Sequence, residues 1–308
     1  MKQGLVYKST GSFYKVRIDD AFHECVLAGK YRLAGKRSTN PVSVGDLVGV
    51  NMDKIPLVIE QIEDRKNYII RKSVNLSHET HIIASNMDLV LIVASVAKPR
   101  TSTGFITRIL VTAEAYGIPA ALVLNKSDVL SEKETAQAKE LADEFDFLGY
   151  KTYLTAAISK TGIEPLRDYL RGKTVLVIGH SGVGKSSLLN ALDPGLNIKT
   201  SDISKKHQKG THTTTFAEMH DTEFGTKIMD TPGVKEFGLV EIDPRDLGGY
   251  FPEIRTLSKN CRFYNCLHKD EPDCAVIKAL ETGEIARFRY SDYLSILETI
   301  SSNKVERR

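Results

Sequence analysis

The chain has 308 residues, 41% of them hydrophobic and 26% charged, with a formal net charge of +3. That length exceeds a usual single domain, the hydrophobic share argues against extensive disorder, and four cysteines are too few for a disulfide scaffold. No apolar run approaches the roughly 20 residues that cross a bilayer, and "MKQGLVYKST" lacks the apolar core of a secretion signal, so a cytoplasmic, membrane-free protein is expected.

Charge is unevenly spread. Residues 1–72 carry 13 Lys/Arg against 8 Asp/Glu, a local +5 that favours a polyanion. The same stretch has strand texture: "GLVYKS", "FYKVRI", "FHECVLAG", "DLVGVN" and "LVIEQI" alternate with turn residues. Five short strands fit a small β-barrel, with an OB-fold as the leading candidate, over residues 1–70. Tyr7, Phe13, Tyr14, Lys15, Arg17, Lys30, Tyr31, Arg32, Lys36 and Arg37 provide material for an RNA-binding face, or for the barrel's core. Cys25, alone in an apolar stretch, reads as a buried small hydrophobe.

Over residues 71–242 strands and helices alternate. "DLVLIVASV", "AALVLNKSD", "KTYLTAA", "TVLVIGHSG" and "TKIMDTPG" are apolar runs, each ending in polar or glycine-rich residues. Helical stretches such as "GFITRILVTAEAYG" and "SEKETAQAKELADEFDFLGY" lie between several of them. This pattern predicts a mostly parallel sheet with functional loops beyond the strands' C-terminal ends.

Three of those loops carry nucleotide chemistry. Gly179, Gly184, Lys185 and Ser186 match the phosphate loop G-x-x-x-x-G-K-[ST] between a strand and a helix. Backbone N–H groups from Gly179 through Ser181, Gly182, Val183 and Gly184 would curl around phosphates at a helix N-terminus. Lys185 would neutralise the β- and γ-phosphates, Ser186 would bind magnesium and Ser187 would reach the α-phosphate. "MDTPG" offers Asp230 to a magnesium-bound water and the Gly233 N–H to the γ-phosphate. "KKHQKGTHTTT" occupies the place of switch I, where Thr213, Thr214 or Thr215 would close over the magnesium.

"NKSD" selects the base. Asp128 offers two acceptors to the N1–H and exocyclic amine of guanine, whereas adenine presents the opposite pattern. Such a site rejects the wrong base by about 10⁴-fold or more. Asn125 and Lys126 would brace the base, and "TAA" at 155–157 would present an N–H to the guanine oxygen. The order is base reader, phosphate loop, switch I, switch II, as when a GTPase is cut in a surface loop and its old ends are joined. The expected centre is therefore a circularly permuted α/β P-loop GTPase, whose switch II leads straight into the C-terminal region and would reposition it on loss of the γ-phosphate. Val234 stands where many GTPases keep a water-positioning glutamine, so hydrolysis is expected to be slow alone, with His212 as the internal catalytic candidate alongside Lys185.

Residues 243–308 hold "CRFYNCLHKDEPDC" and then a helical "SDYLSILETISSN". Cys261, Cys266, His268 and Cys274 make a closed set of three thiolates and one imidazole, the pattern of a structural zinc knuckle. Arg262, Phe263 and Tyr264 fit either RNA contact or packing of the knuckle.

With barrel, permuted GTPase and knuckle in this order, the chain resembles the RsgA family (also called YjeQ or YloQ), the bacterial ribosome small-subunit-dependent GTPases. "GHSGVGKSSLLN", "KGTHTTT", "DTPG", "FPEI" and "EPDCAV" carry the likeness. It implies GTP and GDP as ligands, a late role in small-subunit maturation near the decoding region, contact with its rRNA, stimulation of hydrolysis by the subunit, and a catalytic part for His212. Thr211 stands where the family has Arg, and "TAA" matches its guanine-supporting loop only loosely. A monomer is expected. The alternative reading is a GTP-dependent switch acting on another RNA or on a protein partner.

Overall fold

The computed structural model describes residues 1–34, 41–72, 80–199, 217–230 and 242–305. Its first five strands are β1 (Lys2–Ser9), β2 (Tyr14–Ile18), β3 (Ala21–Leu27), then helix α1 (Gly29–Ala34), β4 (Leu47–Asn51) and β5 (Leu57–Ile62). β1 pairs with both β2 and β4, and β3 runs parallel to β5, so the ring closes in the order β1-β2-β3-β5-β4-β1. A closed five-stranded ring with its helix between the third and fourth strands is the expected OB-fold. Alternation places Tyr14, Val16 and Ile18 of β2 inside while Lys15 points out. Cys25 is wholly buried in this core, and burial pushes its thiol up to about 11, as fits an inert small side chain.

A hairpin of β6 (Tyr68–Lys72) and β7 (Thr80–Ser85) leads into the second domain. There follow β8 (Leu89–Ala94), α2 (Thr103–Ala115), β9 (Ala120–Leu124), α3 (Glu132–Phe147), β10 (Thr152–Leu154), α4 (Ile163–Leu170), β11 (Thr174–Ile178), α5 (Lys185–Leu192), β12 (Glu218–Asp221) and β13 (Lys227–Asp230). They form a sheet ordered β10-β9-β8-β11-β13-β12, parallel throughout except for β12. Every residue of β8 is buried, because alternate side chains face different layers. Val90 and Ile92 pack with α2 and α3, while Leu89, Leu91 and Val93 pack with α4 and α5. The parallel strands therefore all end on one edge, which carries the motif loops.

The last region holds α6 (Pro252–Leu257), α7 (Ala275–Thr282) and α8 (Arg287–Val305) around Phe251, Ile254, Val276, Tyr293 and Leu297. Val111 of α2 joins the same cluster, tying this region to the central domain.

The barrel docks on the β12 edge of the sheet. β1 pairs with β12 at Lys8 and Glu218, whose side chains also form an ion pair at 2.8 Å. Tyr7 Oη donates to both carboxylate oxygens of Asp221 at 2.8 and 2.9 Å, and Arg17 Nη1 donates to Oδ2 at 2.8 Å. Asp46, wholly buried, accepts a fork from Arg65 Nε and Nη2 at 2.7 and 2.6 Å, the Ser85 hydroxyl at 2.6 Å and the Ser43 N–H at 2.8 Å. Beside it Gly45 has φ +93°, and a Cβ there would lie 2.1 Å from Ser85 O. Only glycine fits this crossing.

The barrel aromatics divide differently from a uniform RNA face. Tyr7 and Tyr14 are only 2% and 1% exposed and belong to the core, and Arg17 is committed to Asp221 and Asp20. Phe13, Lys15 and Lys30 are exposed, and Lys15 Nζ lies 4.4 Å from the exposed Phe22 ring. Lys36, Arg37 and the side chain of Arg32 lie outside the described residues.

Asp46→Ala removes the shared acceptor of a buried network and leaves Arg65 without its counter-charge. A loss of about 3–5 kcal/mol is expected, read as a lower urea midpoint. Asp19→Asn, which weakens an exposed pair with Lys2 and still tolerates the φ of +53° there, is expected to leave the midpoint unchanged.

Candidate nucleotide site and metal centre

β11 ends at Ile178, and α5 begins seven residues later at Lys185. Gly184 precedes the helix at φ +91°, and a Cβ on it would meet Asn125 Nδ2 at 2.6 Å. Conformation and space both demand glycine there. Val183 is wholly buried among the α4 and α5 side chains and anchors the loop, while Ser181 and Gly182 form its exposed tip. Ser186 and Ser187 lie half-buried on the first turn of α5.

Lys185 Nζ donates to Gly179 O at 2.9 Å, bending back across the loop it follows. Burial lowers its pKa, and the nearby charge of Asp230 acts in the opposite direction. An arriving phosphate adds negative charge beside the ammonium and favours its charged form. Asp230 pairs in register with Val177, so it ends β13 beside the start of the phosphate loop. His180 stacks on Phe105 of α2, centroids 3.7 Å apart and planes 29° apart. Burial, then the Lys185 charge, lower the His180 pKa, so its ring is neutral at pH 7.

The "NKSD" loop touches this one. Asn125, 2% exposed, donates from Nδ2 to Val183 O at 3.0 Å and Gly184 O at 3.4 Å, and its Oδ1 accepts the Thr155 hydroxyl at 3.0 Å. One amide thus joins the loops after β9, β10 and β11. Lys126 adopts φ +68° and donates from Nζ to Lys98 O at 2.8 Å. Ser127 N–H bonds Thr155 O at 3.0 Å, and Asp128 stands exposed on the one-turn helix Ser127–Val129. Within "TAA", Ala156 gives its N–H to Thr161 O at 3.0 Å, leaving Ala157 as the next backbone donor along the loop. His212, Thr213, Thr214 and Gly233, with Thr211, Thr215 and Val234, lie outside the described residues.

Sequence reasoning missed the loop between β8 and α2. Its Lys98 carbonyl receives Lys126, and Pro99 lies against Gly182. No spacing rule marks such a loop, and Thr155 likewise looks like any small polar residue until its hydroxyl is seen on Asn125.

The metal set does assemble. The ligand atoms of Cys261, Cys266, His268 and Cys274 all lie within 4.8 Å of one another. Cys261 Sγ is 3.7 Å from His268 Nδ1 and 3.9 Å from Cys274 Sγ, and Cys274 Sγ is 3.4 Å from His268 Nδ1. A tetrahedral ion bonded at about 2.3 Å to sulfur and about 2.0 Å to nitrogen separates its ligands by roughly 3.5–3.8 Å. The residues fit such an ion. Glu271 fixes the turn by accepting the N–H groups of Leu267, Lys269 and Asp270, while the Tyr290 and Tyr293 hydroxyls hold the carbonyls of His268 and Leu267. Tyr264 is fully exposed and Phe263 partly so, and neither joins the helical core.

A family model described as RsgA GTPase matches residues 62–240, and one described as the RsgA N-terminal domain matches residues 3–55. A protein of Christiangramia forsetii named small ribosomal subunit biogenesis GTPase RsgA is 49% identical over 306 residues, covering 98% of this chain and 97% of its own. A Bacteroides fragilis protein of the same name is 47% identical, covering 98% of each chain. The crystal structure of YjeQ from Thermotoga maritima superposes with a TM-score of 0.78 at 34% identity, covering 97% of this chain and 98% of its own. YloQ, described as a circularly permuted GTPase, gives 0.74 at 29% identity over 98% of this chain and 96% of its own.

Asn125→Ala strips the phosphate-loop carbonyls of their shared donor and the Thr155 hydroxyl of its acceptor. Loss of about 1–3 kcal/mol of organisation is expected. A fluorescent GDP titration would read this as affinity weakened about tenfold or more, with the far-ultraviolet dichroism unchanged.

Proposed function

The chain belongs to the RsgA GTPase family and hydrolyses GTP, and on that premise we propose that it binds the small ribosomal subunit and acts in its late maturation near the decoding region, with hydrolysis stimulated by the subunit and driving release. The observation that carries this reading is similarity over nearly the whole length, at 47–49% identity, to proteins named for small-subunit biogenesis. The Asn125 hydrogen bond to Val183 O supports the GTPase premise independently, because the Asn-Lys-x-Asp loop lies against the glycine-rich loop that precedes α5.

In the proposed site Gly179, Ser181, Gly182, Val183 and Gly184 present backbone N–H groups to the phosphates. Lys185 neutralises the β- and γ-phosphates, and Ser187 meets the α-phosphate. Asp128 reads the guanine edge, while Asn125 and Lys126 brace its loop. Ser186, one of Thr213 and Thr214, and Asp230 through water would hold magnesium, which supplies charge neutralisation at the β- and γ-oxygens. Gly233 meets the γ-phosphate, and His212 takes the place of the absent glutamine in orienting water. Cys261, Cys266, His268 and Cys274 would hold one structural zinc, which cross-links the segments ahead of α7. The division proposed is a barrel over 1–70, the GTPase over 71–242 and the metal-binding region over 243–308. Among the described residues no helix is long and apolar enough to cross a membrane, and the proposed setting is cytoplasmic, as a monomer.

The test is GTP turnover with small subunits, large subunits or neither. Stimulation by small subunits alone is expected, abolished by Lys185→Ala and reduced several-fold by His212→Ala. Equal stimulation by large subunits would overturn the assignment. For the metal, one zinc per chain is expected by elemental analysis, and Cys266→Ser is expected to lose it together with protection of α7 from proteolysis.

A further inference from the structure

A single neighbouring segment flanks the phosphate loop at two residues. The His180 ring lies face-on over Phe105, 3.7 Å away, near the start of α2. Two residues further along, a Cβ on Gly182 would meet Pro99 Cγ and Cδ at 3.5 Å, in the loop that leads into α2. Exposed Ser181 is the tip between these two contacts. The loop is stacked on Phe105 through His180 and passes Pro99 with room for no more than a small side chain at Gly182.

α2 also carries the C-terminal region. Arg289 of α8, 1% exposed, donates from Nε to Glu253 Oε1 at 2.7 Å and from Nη1 to Thr107 Oγ1 at 3.1 Å. The Thr107 hydroxyl in turn donates to Asp292 Oδ2 at 2.8 Å, and Arg108 Nη2 reaches Thr299 Oγ1 at 3.0 Å. The Arg289 guanidinium lies 4.7 Å from the Phe251 ring. Thr107 and Phe105 are two residues apart, roughly 200° around the helix. One face of α2 therefore meets the phosphate loop and the other meets α8.

The Arg289–Glu253 pair is incompletely satisfied, since Arg289 Nη2 and Glu253 Oε2 have no hydrogen-bond partner among the described residues. A buried ion pair with unmet groups contributes little net stability, but it does fix geometry. A glycine loop that is already ordered loses less backbone entropy when a ligand arrives. Resting on the GTPase reading above, we propose that Phe105 is a positioning residue for the phosphate loop, and that Arg289, through Thr107, sets the placement of α2 from which Phe105 acts. The metal-bearing region thereby tunes nucleotide affinity through packed side chains.

The test uses the full-length, metal-loaded protein. It reads affinity for a fluorescent GDP analogue, single-turnover GTP hydrolysis, and the His180 ring signals in nucleotide-free protein, assigned with His180→Gln. Phe105→Leu is expected to shift those signals by loss of the ring current and to weaken nucleotide binding about five- to tenfold, with a smaller change in hydrolysis of bound GTP. Phe105→Tyr restores both. Thr107→Val and Arg289→Met are expected to move the same signals and weaken binding about threefold. Metal content and circular dichroism identify an Arg289→Met protein that fails to fold, and near-isosteric Thr107→Val then decides. Unchanged affinity in folded Phe105→Leu overturns the positioning role, and unmoved His180 signals in folded Thr107→Val overturn transmission from α8. If the wild-type protein binds no guanine nucleotide, the GTPase reading fails instead. The ring signals, read without nucleotide, keep the two failures distinct.

Discussion

Asn125 commits its whole side-chain amide to two other loops: Nδ2 to the Val183 and Gly184 carbonyls, Oδ1 to the Thr155 hydroxyl. In a buried position each of those groups would be costly without its partner, so the three loops hold one relative placement. Without that amide, the end of β9 and the start of α5 would be separate surface features. With it, the loop that carries exposed Asp128 and the loop that leads to half-buried Lys185 are held side by side.

The chain reaches this arrangement in an order unlike that of most GTPases, and the sheet explains why order is immaterial. β11 pairs in parallel with β8 on one side and β13 on the other. A parallel strand brings its C-terminal end to the same edge wherever it falls in the chain. What permutation changes is attachment. The barrel now feeds the hairpin β6–β7, and Asp46 with Arg65 and Ser85 secures that entry. The C-terminal region follows the segment after β13 but is also held to α2 by Arg289, Thr107 and Asp292. It therefore has both a covalent and a packed route to the nucleotide loops.

Legibility in the sequence followed the range of the forces involved. All five barrel strands were readable because alternation is local, and so were the parallel strands, as apolar runs ending in polar loops. β12 was missed: "EMHD" has little apolar content and exists as a strand through its ladders with β13 and with β1. α4 is eight residues long and α6 six, too short for a period to show. The convergence of the glycine-Lys-Ser loop with the Asn-Lys-x-Asp loop, and of the clustered thiols with His268, could be anticipated because those patterns have few other uses. Tyr7 and Tyr14 stayed open between face and core because an aromatic residue in a strand looks alike inside and outside a barrel; the closed ring turns Tyr14 inward, while Tyr7 is buried against the core of the central domain. Phe105, Pro99 and Thr155 carried no signal, since their significance lies wholly in what they touch.

The pairing of β1 with β12 has one more effect. β12 would otherwise be the outermost strand of the central sheet on that side, with unpaired N–H and C=O groups open to any passing chain. By laying its own first strand there, the barrel acts as a stopper against sheet extension. Lys8 on Glu218 and Arg17 on Asp221 add charge at the same seam. The barrel is thereby also a guard against self-association at this edge.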